Sequence, residues 1–330
     1  MSTRDIRAFL LAEAQSAPRS LGARAAERFG ISRQSAHVHL AGLIREGLLE
    51  ATGRTRARTY GLATLADLRF EVRLDESLAE DSIWVERVAP SLAGVAEDPL
   101  QVARFGLTEC LRNAADHAGS AEATVRVRRN ALAVEISVAD RGEGIFSRLG
   151  GSDPLRAALD LVKGGRSTDP EARAGRGFGA VARAVDTFSV WSGHHLLKRE
   201  HRNRRGAWSL ELLHGRVRGT TVAMRIRADS GRRLADSLRP SAIEIPVSLA
   251  LPAGQPPTSR ASARRLLERM ETAGEIVLDF TGIAAVGPGF ADEIFRVFRR
   301  ENPEVRLARI GASAAVERSL RAAEASSAGA

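Results

Sequence analysis

The chain has 330 residues, 44% hydrophobic and 27% charged, with a formal net charge of +9. At roughly 150 residues per domain this length accommodates two or three domains, and the composition excludes a disordered, collagen-like or low-complexity chain. No run approaches the roughly 18 to 20 apolar residues of a membrane span, the N-terminus has no signal-peptide core, and the single cysteine, Cys110, excludes an intrachain disulfide or a cysteine-rich zinc site. The expectation is a folded cytoplasmic protein. Its basic excess permits an acidic partner such as nucleic acid or a nucleotide without demanding one.

In residues 1–65, Ile6, Phe9, Leu10 and Ala14 recur at helical spacing and predict a first helix ending before Pro18. A second helix is predicted over Leu21–Phe29, stopped by Gly30. Ser32 reads as the N-cap of a third, with Ala36, Leu40, Leu43 and Ile44 on its apolar face and Gly47 at its end. Gly53 then turns a hairpin on which Arg54, Arg56 and Arg58 alternate. This segment carries ten arginines against five acids.

From residue 66 to about 230, helical and strand patterns alternate, and the glycine-rich segments lie here. Glu109 and Asn113 are four apart, so one helix face presents a carboxylate beside a carboxamide, with Asp116 or His117 near its end. The amide oxygen suits Mg²⁺ and the acid suits deprotonation of a nucleophile, although the spacing alone is equally that of a solvated polar face. Residues 124–128 and 133–139 alternate as neighbouring strands, and the second ends in Asp140, Gly142 and Gly144. An acid at a buried strand end can accept the exocyclic amine of adenine, and the glycines let the ring approach. The plainer reading is a tight turn with an exposed Asp.

Gly175, Gly177 and Gly179 run into a helix and make a phosphate cradle from backbone N–H groups. The spacing is not the dinucleotide fingerprint, which needs a preceding strand. Lys163, Arg166, Arg173 and Arg176 lie in or beside the loop before it; surface solvation is the plainer reading for most of them, with Arg176 the first candidate to meet phosphate. Residues 208–213 and 220–226 read as a closing strand pair, and His194, His195, His201 and the arginines around them as a solvated loop. Cys110 reads as a small core residue.

From 231 to about 260 the chain is rich in Pro, Ser and Arg, with a candidate strand at 243–247. Beyond it a helix (262–272), a strand (275–280), a glycine-rich turn, a helix (290–300), a strand (305–310) and a last helix predict a small α/β domain.

In order, these pieces resemble the GHKL, or Bergerat, ATP-binding fold of gyrases, sensor histidine kinases and anti-sigma-factor serine kinases, over a core of about residues 85–228. Glu109 and Asn113 with His117 look like its N box, Asp140, Gly142 and Gly144 like its first glycine box, and Gly175, Gly177 and Gly179 like its second. Gly219 and Thr220 resemble the start of its closing strand. By that resemblance Asn113 holds Mg²⁺, Asp140 binds adenine, the 175–179 glycines and Arg176 wrap the phosphates of ATP under a lid from about 146 to 174, Thr220 meets the nucleotide, and Glu109 is the general base.

Residues 1–65 resemble a bacterial winged helix-turn-helix domain, which implies DNA contacts from Ser32, Arg33, Gln34, Ser35, His37 and His39 on the third helix and from Arg54, Arg56 and Arg58 on the wing. Residues 275–295, within a 231–330 segment, resemble a STAS-like module. Its turn reads Gly287, Pro288, Gly289 and offers no phosphorylatable hydroxyl, leaving docking to the ATP domain or a protein partner. The expected architecture is an α+β multidomain chain of winged helix (1–65), GHKL α/β sandwich (66–230) and STAS-like α/β domain. The expected function is an ATP-responsive DNA-binding regulator, with homodimerisation a fair expectation for reading two half-sites; the alternative is an anti-sigma-type serine kinase acting on a separate partner. No histidine lies between His39 and His117, which argues against a phosphoacceptor before the N box.

Overall fold

The computed structural model describes residues 2–54, 57–151, 153–164, 177–202, 205–238, 242–251, 255–271 and 273–328. Three helices come first: α1 (Thr3–Glu13), α2 (Leu21–Phe29) and α3 (Arg33–Arg45). Ser2 and Asp5 close a capping box on α1, and Gly30, at φ 62°, ends α2 in the left-handed region. Ser32 caps α3, its hydroxyl accepting from the Ser35 N–H at 3.0 Å. Ile6, Leu10, Ala36, Leu40 and Leu43 are buried with Leu21, Ala25, Leu49 and Tyr60. The helices and the antiparallel hairpin of β1 (Leu49–Thr52) and β2 (Thr59–Leu62) therefore close over a core of their own.

A five-stranded antiparallel sheet follows, built from β3 (Ala66–Arg73), β4 (Glu122–Arg129), β5 (Ala133–Asp140), β6 (Thr187–Arg202) and β7 (Arg205–Arg227) in the order β3-β4-β5-β7-β6. After a short helix, α4 (Glu80–Ile83), the 21-residue α5 (Glu97–His117) packs across β5 and β7. Its buried Val102, Leu107, Cys110 and Leu111 share a core with Val125, Ile136, Val138 and Met224, the inward residues of alternating strands. Cys110 is the small core residue expected, and burial pushes its thiol pKa up.

Two expectations change here. Residues 208–213 and 220–226 are not a strand pair: both belong to β7, whose partner is β6, with register shifts around Gly193. The supposed solvated loop is thus an edge strand, in which Leu197 and Arg199 are buried and His201 is half-buried. Arg199 is only 4% exposed, pairs with Glu244 at 3.2 Å, and has its pKa lowered by burial to about 10. His201 lies 3.2 Å from the Ala182 carbonyl, and burial, with Arg199 and Arg232 beside it, holds its pKa down at about 3. The period-two pattern was hidden because two of its inward positions are an arginine and a histidine.

The second change concerns the lid. Residues 145–150 form α6 (Ile145–Gly150) and residues 154–162 form α7 (Pro154–Val162), in which Ala157, Ala158, Leu159, Leu161 and Val162 are buried. The α7 part of the expected lid is packed core, because that helix is apolar on most of its circumference. Residues 165–176, with Arg166, Arg173, Gly175 and Arg176, lie outside the described residues. Beyond them α8 (Phe178–Ala184) leads into β6.

After α9 (Leu234–Leu238), the C-terminal part is a parallel sheet of β8 (Ile243–Pro246), β9 (Glu275–Asp279) and β10 (Arg306–Ile310) with β9 central. Its helices are α10 (Arg260–Leu267), α11 (Pro288–Asp292, continuing to residue 301) and α12 (Ala314–Ala328). Buried apolar side chains run without a break from the central unit into this one. Polar contacts clasp α7 to α10: Arg156 to Glu268 at 3.1 Å, Arg265 to Asp153 at 3.4 Å, and Lys163 Nζ to the carbonyls of Arg265 (3.2 Å) and Glu268 (3.0 Å).

Lys163 was a candidate for phosphate or for plain surface solvation; its ammonium instead meets carbonyls at the C-terminal end of α10, where a cation is favoured by the helix dipole. Burial nevertheless lowers its pKa from 10.5 to about 8. Between those values the unfolded chain holds a proton that the folded chain lacks, so this lysine makes stability rise with pH from about 8 to 10.5. In urea unfolding, the wild type should gain on the order of 1 kcal/mol over that window relative to Lys163→Met, allowing for solvent screening at a half-buried site. Parallel pH curves would contradict this.

Candidate nucleotide site

The site forms where α5, the turn after β5, the start of α8 and β7 meet. Glu109 and Asn113 project from adjacent turns of α5, as the spacing predicted. Glu109 is 6% exposed; its Oε2 accepts the Gly177 N–H at 2.9 Å and its Oε1 accepts from Arg112 at 3.0 Å. The carboxylate therefore reaches the N-terminal end of α8, on the backbone donor expected to cradle phosphate. Arg112, which sequence reasoning missed, was legible three residues after Glu109 on the same helix.

Asn113 donates its Nδ2–H to the Glu109 carbonyl at 2.7 Å. A carbonyl only accepts, so the amide nitrogen must face it and Oδ1 must point away. That leaves a hard oxygen suited to Mg²⁺. Among the described residues no three His, Cys, Asp or Glu side chains gather as a metal cage. A Mg²⁺ here would take its remaining ligands from phosphate oxygens and water.

Asp140 ends β5 and is 7% exposed. Its Oδ1 accepts two backbone N–H groups, from Gly142 at 2.9 Å and Thr220 at 3.1 Å. Those bonds fix the carboxylate's orientation and leave Oδ2 as the acceptor for an exocyclic amine. Thr220, on β7, accepts the Ile145 N–H on its Oγ1 at 3.0 Å, linking this acid to the start of α6. The end of α5 is held to the same turn, since the Ala118 carbonyl accepts the Glu143 N–H at 3.1 Å.

Two glycines, Gly142 in this turn and Gly219 on β7 facing it, are obligatory. A Cβ on Gly142 would come within 2.7 Å of the Ala118 carbonyl carbon, and one on Gly219, at φ 68°, within 2.7 Å of Asp140 Oδ1. Gly142→Ala should cost about 2 kcal/mol of stability, read as a fall in melting temperature, because the Ala118 backbone must move away. Gly144 lies in the same crowded turn, where a side chain would meet Ser192 Oγ, a buried hydroxyl that the sequence did not single out. Gly179 lies within α8. Asp140, Gly142, Thr220, Asn113, Glu109 and Gly177 are thus joined through short bonds and shared elements, and their chemistry fits a purine nucleotide with Mg²⁺. Gly175 and Arg176 lie outside the described residues.

The N-terminal candidates occupy one surface. Arg33, Gln34 and His37 are exposed on α3, while Ser35 and His39 are half-buried and the Ser32 hydroxyl is engaged as the cap. On the hairpin, Arg54 is exposed, Arg56 is outside the described residues, and Arg58 is half-buried with its guanidinium 5.4 Å from the centre of the Tyr60 ring. Arg58 thus packs on the hairpin's own aromatic residue.

The central unit is an antiparallel sheet backed by α5, with an acid fixed at the end of β5 and a glycine entry to α8. Residues 72–196 match the family described as histidine kinase-like ATPase domain, and residues 262–317 match the family described as STAS-like domain of unknown function. A comparison with curated proteins found no match. The chain therefore joins a GHKL-like ATPase domain to a C-terminal STAS-like domain in a mixed α/β multidomain arrangement. Among the described residues no helix is long and apolar enough to cross a membrane.

Proposed function

We propose that this chain is an ATP-responsive DNA-binding regulator in which Mg-ATP, bound between α5, β5 and α8, alters the contacts of the N-terminal unit with DNA. The carrying observation is Asp140, buried and oriented through Oδ1 by two backbone donors, with Oδ2 left to accept the adenine amine. Asn113 Oδ1 would hold Mg²⁺, and the Gly177 N–H would meet phosphate once released by Glu109. Bound Mg²⁺ supplies charge neutralisation at the phosphates. Glu109 is then free to take a proton from a nucleophile.

The N-terminal unit supports the DNA half of this reading: three helices and a hairpin, as in a winged helix, a reading helix without acids, and ten arginines against five acids in residues 1–65. A dimer on two half-sites is part of the proposal. The STAS-like domain, clasped to α7, is positioned to feel changes near the nucleotide or to engage a protein partner.

A second reading is favoured by the joining of an ATPase domain and a STAS-like domain in one chain. It is an anti-sigma-type serine kinase transferring the γ-phosphoryl group to a separate partner. Calorimetric titration of the full chain with ATP and Mg²⁺, followed by DNA binding with and without nucleotide, tests the first reading. Saturable ATP binding that shifts DNA affinity supports it. ATP binding without any DNA affinity, accompanied by phosphate transfer to a protein serine, favours the second.

A further inference from the structure

The outer surface of α3 carries an apolar side chain at its centre. Val38 is 65% exposed, on a helix whose other large aliphatic side chains are buried or half-buried. It is four residues after Gln34, three before Ala41 and seven before Arg45, so these residues form one stripe at i, i+4, i+7 and i+11. The stripe lies opposite the buried Ala36, Leu40 and Leu43. Arg33 and His37 flank it, both exposed, and α3 contains no acidic residue.

We infer that this stripe reads a run of A·T base pairs in the major groove, with Gln34 paired to an adenine and Val38 seated on the methyl group of a thymine. A carboxamide matches the adjacent N6 donor and N7 acceptor of adenine, and an apolar side chain is the natural partner of the thymine methyl, the only apolar group on that groove edge. Ala41, small and half-buried, lets the helix approach closely, and Arg45 at the far end suits a phosphate. The lack of acids removes the repulsion that would keep such a surface off the duplex. The inference rests on the DNA-binding reading given above.

Selection of random duplexes with the full-length protein comes first, followed by replacement of each thymine in the selected site by uracil, which deletes only the methyl. The selected site should contain A·T pairs, and one uracil replacement should weaken wild-type binding about fourfold, the equivalent of ~0.8 kcal/mol per buried carbon. Val38→Ala should lose that dependence while keeping the salt dependence of binding. Gln34→Ala should relax the preference for adenine at a neighbouring position by roughly tenfold. A selected site indifferent to every thymine methyl, or a methyl dependence retained in Val38→Ala, overturns the assignment while leaving DNA binding intact. If Val38→Ala changes the oligomeric state and not the thymine dependence, the stripe is a protein interface and the assignment falls. If selection enriches nothing and random duplex does not bind even at low salt, the DNA-binding reading fails and takes the assignment with it.

Discussion

Asp140→Asn should weaken ATP binding about 100-fold while leaving the fold intact, the equivalent of roughly 3 kcal/mol for replacing a charged acceptor by a donor that faces a donor. The argument turns on which atom faces which way. The Gly142 and Thr220 N–H groups both donate to Oδ1, so the single oxygen of an asparagine must stay there. Its NH₂ group is forced into the position of Oδ2, where the adenine amine would arrive. Guanine carries a carbonyl oxygen in place of that amine, so the variant should lose its preference for ATP over GTP. Calorimetry with both nucleotides reads the effect, and thermal unfolding checks the fold. Asp140→Ala should instead lower the melting temperature as well, because it leaves the buried Thr220 N–H and the half-buried Gly142 N–H without their acceptor. Wild-type affinity for ATP in Asp140→Asn would rule out Asp140 as the adenine acceptor.

The local layout of the candidate site was legible because its residues lie in short local strings. Glu109 and Asn113 announce a helix face by their spacing, and Asp140, Gly142 and Gly144 announce a turn after a strand that alternates cleanly. The three N-terminal helices were legible for the same reason, with Ser32 and Gly30 marking ends that the structure places at α3 and α2. What escaped was set by partners distant in sequence. Arg199 reads as a solvent residue until Glu244, 45 positions later, is brought beside it. Lys163 reads as a solvated loop cation or one near phosphate until the carbonyls of Arg265 and Glu268 are folded against it, more than 100 residues away. In each case a cation's role is fixed by what supplies its counter-charge or acceptor, which local sequence does not encode.

Glu109→Gln should abolish phosphoryl chemistry, by about 10² to 10⁴-fold in rate, without weakening ATP binding. The carboxylate bridges two donors, Arg112 and the Gly177 N–H, and glutamine retains one acceptor oxygen for them. Arg112 can release its share without being stranded, because its side chain is 48% exposed and Glu80 lies 3.6 Å away. The Gly177 contact can therefore survive in the variant, while the ability to accept a proton is lost. Removing a negative charge from a site that must receive a triphosphate should also make ATP binding equal or a few-fold tighter. That pair of results, tighter or equal binding with lost turnover or transfer, separates a general base from a structural carboxylate, whose loss would weaken both. Unchanged ATP turnover in Glu109→Gln would mean that the proton goes elsewhere and that the bond to Gly177 only holds α8 against α5.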